Sequence, residues 1–300
     1  MQSRKSIWGA FFLILCVSAV NAAAPTLTFT FKDVHANAKA QETDTYGLNN
    51  KGVIVGDYVD SAGIQHGMIL NGTKLTKADR SDCLNSPGST TIAFYGINSA
   101  GVAAGWCTNS SSVQIGFTYS AGKFHDIKIA GSTGVEAIGI NDKGAIVGSY
   151  FDSAGTQHGY LLVGKKLTKL DPPGVTSLAT AWSINNKGVI SVYGANSSGG
   201  YSSFTTADNG KTYKAFHAPK EGSLGTAIHK INNKGDIVGT YFDSSNTSHG
   251  ILFHGGKFFS FDDPTAANTR GDGLNDTLVI VGRYGSGVFG GTGFEATAKQ

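Results

Sequence analysis

Short apolar runs separated by turn residues make up most of this chain, and residues 139–171 show the pattern most clearly. Residues 145–150 and 158–162 are mainly apolar, whereas residues 166–170 alternate between apolar and polar positions. Asn, Asp, Gly and Pro residues close each run, as tight turns between strands require. The segment therefore predicts a small sheet of four antiparallel strands, the last of them half exposed.

The Ile-Asn or Leu-Asn pair that opens one of these turns recurs along the chain. Its asparagine stands at Asn49, Asn98, Asn141, Asn185, Asn232 and Asn275. These positions are roughly 45 residues apart, which is the period of a four-stranded propeller blade. We therefore predict repeats that start near residues 45, 93, 136, 180, 227 and 270. Stacking such sheets around an axis buries apolar faces that a single sheet would leave exposed.

The two ends of the repeat array complement each other. Residues 27–34 alternate like an outer strand that no inner strand precedes, whereas the repeat beginning near residue 270 lacks its outer strand. The sequence therefore predicts an all-β fold: a six-bladed β-propeller of four-stranded antiparallel blades, closed by a 3+1 clasp of the N- and C-terminal strands. On this prediction residues 23–300 form a single domain.

Residues 1–22 are expected to be a secretory signal peptide. A basic start precedes an apolar stretch that is too short to span a bilayer, and residues 20–22 resemble a small-residue cleavage site. The protein is then secreted, to the extracellular space or the periplasm. Cys83 and Cys107 are the two cysteines that remain after cleavage, so a disulfide between them is predicted.

Composition narrows the classes of function. Charged residues make up 15% of the chain and the net charge is +3 without a basic cluster, which argues against a nucleic-acid-binding protein. No later stretch is apolar enough to insert into a membrane. The sequence predicts no cofactor, leaves calcium open as an ion that a propeller can hold, and favours a monomer.

Three repeats carry a triplet of histidine, glycine and an apolar residue, at positions 66–68, 158–160 and 249–251. The triplets follow IN-x-x-G and I-V-G-x-Y segments in a constant order. In this arrangement the chain, over about residues 27–294, resembles the extracellular HAF-repeat family of bacterial secreted proteins. Ile115, Ser202 and a small residue near Thr292 replace the histidine in the other repeats. The resemblance implies a secreted, β-propeller-like repeat protein, but no activity and no catalytic residues.

Each of these three histidines follows an aspartate within a turn. The pairs are Asp60 and His66, Asp152 and His158, and Asp243 and His249. A carboxylate and an imidazole at this spacing suggest catalysis or metal binding. However, the copies belong to separate blades, too far apart to share one metal, and an active site is normally built once. We therefore predict that the recurring histidines have a structural role.

The residue two positions before each Ile-Asn or Leu-Asn pair differs between the repeats. These residues are Tyr46, Tyr95, Ile138, Trp182, His229 and Asp272. All of these except Ile138 are our predicted ligand-binding residues, because innermost strands surround the axis and aromatic faces stack on sugar rings. If the protein is an enzyme, His229, Asp272 and Tyr46 are the candidate catalytic residues. The alternative is that these side chains only fill the space between blades.

In this topology the turns after the second strands and the links after the fourth strands share one end of the ring, which we call the loop end. The opposite end carries the Asn-Gly turns, and we call it the turn end. The charged residues of the loop end are His35, Glu42, Arg80, Asp82, Asp171, Lys220, Glu221, Asp262, Asp263 and Arg270. They either line the mouth of a ligand funnel or, more simply, are solvated loop charges.

The leading hypothesis is a secreted module that binds a glycan or a protein at its loop end or central pocket. Catalysis is not evident, because the sequence contains no G-x-S-x-G, H-E-x-x-H, P-loop or CxxC pair. One alternative is a carbohydrate-active enzyme, a polysaccharide lyase or glycoside hydrolase, with its site in the central funnel. The other is an envelope scaffold without a well-formed pocket.

Overall fold

A computed structural model describes residues 26–83, 92–285 and 291–299 of the chain. Within these ranges every helix or strand that forms is a β-strand. The described ranges therefore contain no helix that is long and apolar enough to cross a bilayer. The predicted signal peptide, residues 1–22, lies outside the described residues.

The described strands fall into groups of four. The N-terminal strand is β1 (Thr28–Val34). The first three groups are β2 (Glu42–Leu48), β3 (Val53–Val59), β4 (Gln65–Asn71) and β5 (Lys74–Lys77); β6 (Ile92–Ile97), β7 (Ala103–Thr108), β8 (Gln114–Ser120) and β9 (Lys123–Asp126); and β10 (Gly134–Ile140), β11 (Ile146–Phe151), β12 (Gln157–Val163) and β13 (Lys166–Leu170). The others are β14 (Val175–Ile184), β15 (Ile190–Asn196), β16 (Tyr201–Thr206) and β17 (Lys214–Phe216); β18 (Thr226–Ile231), β19 (Ile237–Phe242), β20 (Ser248–His254) and β21 (Lys257–Phe261); and β22 (Asn268–Leu274), β23 (Val279–Gly285) and β24 (Thr292–Lys299).

Each group is an antiparallel meander, and the last one is completed by the N-terminal strand. β1 pairs with β24 over its whole length, from Thr28 opposite Lys299 to Val34 opposite Gly293. A single parallel bridge between Thr43 and Thr292 connects this last blade to the first one. The described strands thus form the predicted all-β, six-bladed propeller, with β1 as the outer strand of the sixth blade.

The hydrophobic core lies between neighbouring blades. Val147 of the third blade shares a buried cluster with Ile190 of the fourth. Phe261 of the fifth blade packs with Phe294 of the sixth, and Phe29 of β1 contacts Phe261 with a ring-centroid distance of 5.1 Å. Because neighbouring blades share these clusters, a single blade does not bury its apolar faces alone.

The inner strand of every described blade contains a β-bulge at the same repeat position. On β2 the register shifts between Thr45 and Gly47, so that Tyr46 has no partner in the ladder. The extra residues are Tyr46, Tyr95, Ile138, Trp182, His229 and Asp272. A bulge re-aims a side chain. A Cβ atom on Gly47 would lie only 2.5 Å from the carbonyl oxygen of Tyr95, so this position needs a glycine where the next blade approaches.

Five of the six asparagines that open the turns at the turn end join neighbouring blades. In the third blade Asn141 Oδ1 accepts hydrogen bonds from the amides of Lys143 and Ala145, at 3.1 and 3.0 Å. Its Nδ2 donates to the carbonyl of Asn185 in the fourth blade at 3.1 Å. The same bond to the next blade is donated by Asn49, Asn98, Asn185 and Asn232. The repeated asparagine therefore holds its own turn and the adjacent blade together.

The predicted disulfide is present, since Cys83 and Cys107 are bonded in the structure. It ties the link between the first two blades to β7. Cys107 stands opposite Ile115 of β8, at the place where the first blade has Tyr58 opposite His66. The disulfide thus replaces a tyrosine–histidine contact at this position of the second blade.

Candidate functional site

The residues at the six bulges form a ring around the axis. The rings of Tyr46 and Tyr95 stack with their centroids 4.6 Å apart, and Tyr95 meets Trp182 at 6.1 Å. Trp182 contacts His229 with a centroid distance of 5.0 Å, and His229 Nδ1 lies 3.3 Å from Asp272 Oδ1. The five predicted ligand-binding residues are therefore in contact, each with the next, although they come from separate blades.

Part of this ring lines a pocket of about 240 Å³ that faces the loop end. Its aromatic lining residues are Tyr95, Trp106, Trp182, Tyr193 and Tyr201. Its polar lining residues are Glu136, Gln157 and Thr180, and its remaining apolar ones are Ile138 and Leu178. We call this cavity the axial pocket. Side chains of the second, third and fourth blades build it, which places the pocket to one side of the central axis.

The aromatic walls of the axial pocket form a corner. Tyr95 and Trp106 are parallel, with an interplanar angle of 2° and a centroid distance of 6.1 Å. Trp182 and Tyr193 form a second parallel pair, at 11° and 5.3 Å. The two pairs stand nearly at right angles, because Tyr95 meets Trp182 at 78°. Tyr201 adds a further wall at 83° to Tyr193. Aromatic rings in two orientations thus line the pocket.

The sequence predicts Tyr95 and Trp182 at this site but misses most of the other walls. Trp106 and Tyr193 occupy one position of the second strand, where they pair with Ala93 and Thr180 of the inner strand. The same position holds Asp57, Ser149, Thr240 and Arg283 in the other blades. This second-strand position varies between the repeats, as the inner-strand position does. The variation is the sequence signal that identifies Trp106 and Tyr193.

The other three predicted residues belong to a buried polar cluster beside the axial pocket, where Arg283 is the central cation. Arg283 Nε donates to Asp272 Oδ2 at 3.3 Å, and its Nη1 donates to Asp44 Oδ2 and Tyr46 Oη at 3.4 and 3.2 Å. The guanidinium also lies over the Tyr46 ring, 4.7 Å from its centroid. This network joins the sixth blade to the first, at the point where the ring of blades closes.

Burial sets the protonation states of this cluster. Burial lowers the pKa of His229 to about 4, although Asp272 acts to raise it. Burial acts to raise the pKa of Asp272, but Arg283, Arg270 and His229 outweigh it and the pKa is lowered. His229 is therefore neutral at neutral pH, and its Nδ1 donates to the carbonyl oxygen of Gly271 at 2.8 Å.

This arrangement does not favour the catalytic hypothesis. His229 is 1% exposed and Asp272 is 4% exposed, and neither belongs to the lining of the axial pocket. Tyr46 is held by Asp44 and Arg283 and is also absent from that lining. An acid–base group has to reach the substrate within hydrogen-bond distance. The candidate trio instead forms internal bonds that stabilise the closed ring.

A second, much smaller cavity lies on the axis at the turn end. Its volume is about 50 Å³, and Lys230 lines it together with Asp142 and Asp276. Burial lowers the pKa of Lys230 to about 8. A cavity of this size has room for water rather than for a sugar ring. The axial pocket at the loop end is therefore the better candidate for a ligand.

The recurring histidines are each clamped between two aspartates. His66 Nδ1 lies 2.9 Å from Asp79 Oδ2, and its Nε2 lies 3.1 Å from Asp60 Oδ2. The other two clamps join His158 to Asp152 and Asp171, and His249 to Asp243 and Asp262. A tyrosine of the neighbouring strand packs on each imidazole, at centroid distances of 5.0 to 5.3 Å.

These clamps connect a turn with the end of an outer strand. The hydrogen bond from His66 is the largest cause that lowers the pKa of Asp60 from 3.8 to about 2. Within the described residues no group of three or more His, Cys, Asp or Glu side chains is arranged to hold a metal ion. The clamps occur in the first, third and fifth blades and each one closes its own blade, which agrees with the predicted structural role.

Several charged residues of the loop end also have structural partners. Arg80 forms ion pairs with Asp82 and Asp126 at 2.7 and 2.6 Å. Glu221 accepts a hydrogen bond from Thr226, and Asp263 accepts one from the backbone amide of Thr265 within its own turn.

The other charged residues of the loop end also lie away from the axial pocket. Asp171 and Asp262 belong to the histidine clamps, and Glu42 accepts a hydrogen bond from the amide of Gly291. His35 and Lys220 are exposed. Arg270 instead pairs with Arg283 in the ladder between β22 and β23. None of these ten residues lines the axial pocket of the described chain.

Comparison with known proteins gives a likeness in fold. No protein-family model and no curated protein sequence matches the chain. A mutant of the Aleuria aurantia lectin in complex with α-methyl-L-fucoside has a TM-score of 0.54 and 12% identity, covering 86% of this chain and 93% of that one. AofleA from Arthrobotrys oligospora has a TM-score of 0.53 and 11% identity, covering 90% of this chain and 86% of that one. Trypanosoma rangeli sialidase has a TM-score of 0.51 and 9% identity, covering 91% of this chain and 60% of that one.

These likenesses concern the fold alone. The Aleuria lectin is described as a six-bladed β-propeller, the architecture that the strand pairing gives for this chain. At 9 to 14% identity the comparisons transfer no site residue. The resemblance to HAF repeats remains a prediction.

Proposed function

We propose that this protein is a secreted glycan-binding module and that the sugar occupies the axial pocket. The observation that carries the proposal is the pair of stacked aromatic walls, Tyr95 with Trp106 and Trp182 with Tyr193, set at right angles around one cavity. Sugar rings present apolar C–H faces that pack on aromatic rings, and their hydroxyls need a few fixed polar partners. Gln157, whose Nε2 donates to Thr180 Oγ1 at 3.0 Å, supplies such partners at the wall.

The size of the axial pocket favours a small ligand. Its volume of about 240 Å³ is below the roughly 300–1,000 Å³ of pockets that enclose drug-sized molecules. A protein partner would instead need about 800 Å² of its own surface in contact. A glycan is therefore a better candidate than a protein, and the pocket suits one sugar residue at the end or side of a longer chain.

Two further observations support the proposal. The similar solved structures include lectins crystallised with fucosides, so this architecture is one that carbohydrate-binding proteins use. The disulfide between Cys83 and Cys107 fits an oxidising compartment outside the cytosol, where such disulfides persist.

Tryptophan fluorescence provides a direct test of the proposal. The chain has three tryptophans, and Trp106 and Trp182 both line the axial pocket. A glycan array should first identify ligands, and titration of the purified protein with each ligand should then change this fluorescence. We expect Trp182→Ala to weaken binding at least about tenfold, or 1.4 kcal/mol, and Trp182→Phe to retain part of it. A chelator should leave the affinity unchanged.

Phe258→Ala is the matched control for loss of a ring, because Phe258 lies half-buried on the outer strand of the fifth blade. It should leave glycan binding unchanged. Melting curves of all variants must show that they are folded. The proposal fails if no glycan on the array binds, or if folded Trp182→Ala binds the identified glycan as tightly as the parent protein does.

A further inference from the structure

The axial pocket has an unbalanced charge. Glu136 is the one carboxylate among its lining residues, and the lining includes no lysine, arginine or histidine of the described chain. Two arginines of the sixth blade lie outside this lining: Arg283, on the second strand, is held by Asp44 and Asp272, and Arg270 is on the inner strand. A ligand in this pocket therefore meets a carboxylate and no cation.

Glu136 accepts a hydrogen bond from a neighbouring hydroxyl. Ser149, which is fully buried, donates its hydroxyl to Glu136 Oε2 at 2.5 Å. Burial raises the pKa of Glu136, and the bond from Ser149 acts against that rise. An ionised carboxylate in such surroundings is costly unless an opposite charge compensates for it. A positively charged group on the ligand would supply that compensation.

The aromatic walls favour the same sign of charge. The face of an aromatic ring carries the negative part of its quadrupole, and it attracts ammonium groups placed within about 6 Å of its centroid. Tyr95 faces Trp106, Trp182 faces Tyr193, and the two pairs meet at 78°. Such a corner places aromatic rings in two orientations at the wall of the pocket. Rings and carboxylate together form the kind of site that binds cations.

We propose that the axial pocket selects a sugar carrying a protonated amine, a hexosamine with a free amino group, over neutral and acidic sugars. The ammonium lies between the aromatic corner and Glu136, while the pyranose face packs on the wall of Trp182 and Tyr193. Acetylation of the amine removes its charge and therefore the preference. This inference rests on the proposed glycan-binding function and names the class of sugar that the site takes.

Isothermal titration calorimetry on the mature chain at mildly acidic pH, where the amino groups of glucosamine are protonated, tests the inference. The ligands are a short oligosaccharide of glucosamine, its fully N-acetylated counterpart, an oligosaccharide of uronic acids, and choline as an ammonium without a sugar. We expect the glucosamine oligosaccharide to bind at least tenfold more tightly than each of the other three. Glu136→Gln should reduce its preference over the N-acetylated counterpart to less than threefold.

Glu295→Gln is the matched control, because Glu295 is on β24 and outside the axial pocket. It should leave the tenfold preference intact. The inference is overturned if the N-acetylated or acidic oligosaccharide binds as tightly as the free amine, if Glu136→Gln keeps the preference, or if choline binds as tightly as the amino sugar. Binding that depends on Trp182 but shows no preference for the amine refutes this inference alone, whereas no glycan binding at all refutes the proposed function.

Discussion

Leu178 is an exposed residue with a left-handed backbone beside the axial pocket. It is 52% exposed at the rim of the axial pocket, and its φ of 57° lies in the left-handed region. That conformation costs a residue with a Cβ about 1–2 kcal/mol. Strained residues persist where the surrounding structure imposes them, frequently at ligand sites. We therefore expect the side chain of Leu178 to contact the proposed glycan.

Leu178→Gly should therefore stabilise the protein and weaken ligand binding. Glycine adopts the left-handed region without strain, so the free energy of unfolding should rise by up to about 1 kcal/mol. Leu178→Ala is the control, because alanine keeps the backbone strain and should not raise the free energy of unfolding. Urea unfolding measures the stability and fluorescence titration the affinity. A glycine variant less stable than the alanine variant would show that the backbone here is not strained.

His229 gives the stability of the protein a pH dependence. Its pKa falls from 6.5 to about 4 in the folded protein, mainly through burial. Between these values the unfolded chain binds a proton at this residue that the folded chain does not. Stability should therefore fall as the pH drops from about 6.5 to about 4, by on the order of 2–3 kcal/mol.

Urea unfolding of the parent protein and of His229→Gln across this pH range tests the dependence. The variant can still donate a hydrogen bond to Gly271, but it lacks the titrating group and should show a flatter profile. His35→Gln removes an exposed histidine and should follow the parent profile. Equal slopes for the parent and His229→Gln would refute the assignment to this residue.

At the scale of the element, the turn asparagines are the feature that the sequence predicts best. The pattern finds the six turns because Asn and Gly have local reasons to be there. The bond from five of these asparagine amides to the next blade, as from Asn141 to Asn185, has no local signature. The repeat pattern therefore predicts the turn but not its contact with the neighbouring blade.

Asn141→Ala should cost more than the loss of the turn alone. It removes two bonds inside the turn and one to the fourth blade, so we expect a loss of about 2–3 kcal/mol in the free energy of unfolding. Asn109→Ala is the matched control, since the side-chain hydrogen bonds described for Asn109 stay within its own turn. Asn109→Ala should lower the free energy of unfolding by about 1 kcal/mol less than Asn141→Ala does. Equal losses in urea unfolding would mean that the inter-blade bond contributes nothing.

The inner-strand bulges mark the limit of prediction at this scale. The repeat predicts a strand ahead of the turn at Asn49, but it does not show that Tyr46 is an extra residue between Thr45 and Gly47. A bulge depends on the register with the partner strand and on the approach of the next blade. The sequence identifies these positions only because their residues differ between repeats, and the bulge explains why they face the axis.

At the scale of the whole molecule, the clasp decides whether the ring closes. β1 covers the edge of β24 and places Phe29 and Phe31 against Phe261 and Phe294. Without β1 the sixth blade would expose an unpaired edge and a hydrophobic cluster. The same blade holds Arg283, which bonds across to the first blade. Closure therefore depends both on strand pairing and on a buried ion network.

A chain that begins at residue 36 should be much less stable than one that begins at residue 26. Loss of the two phenylalanine contacts alone should lower the free energy of unfolding by about 3 kcal/mol or more, and the open edge should promote aggregation. Urea unfolding and size-exclusion chromatography provide the measurements. If the shorter chain is equally stable and monomeric, the clasp is not needed to hold the ring.

The sequence by itself determined the number and length of the repeats, the four strands in each, the joining of the two ends and the pairing of Cys83 with Cys107. These features follow from local turn chemistry, from the alternation of strands and from the repetition of both. Only the tertiary structure decided which axial residues face a cavity and which are buried. Tyr95 and His229 occupy equivalent repeat positions, yet one lines the axial pocket and the other is buried and donates to the carbonyl oxygen of Gly271. The reason is that burial depends on the neighbouring blades, which the sequence of a single repeat does not contain.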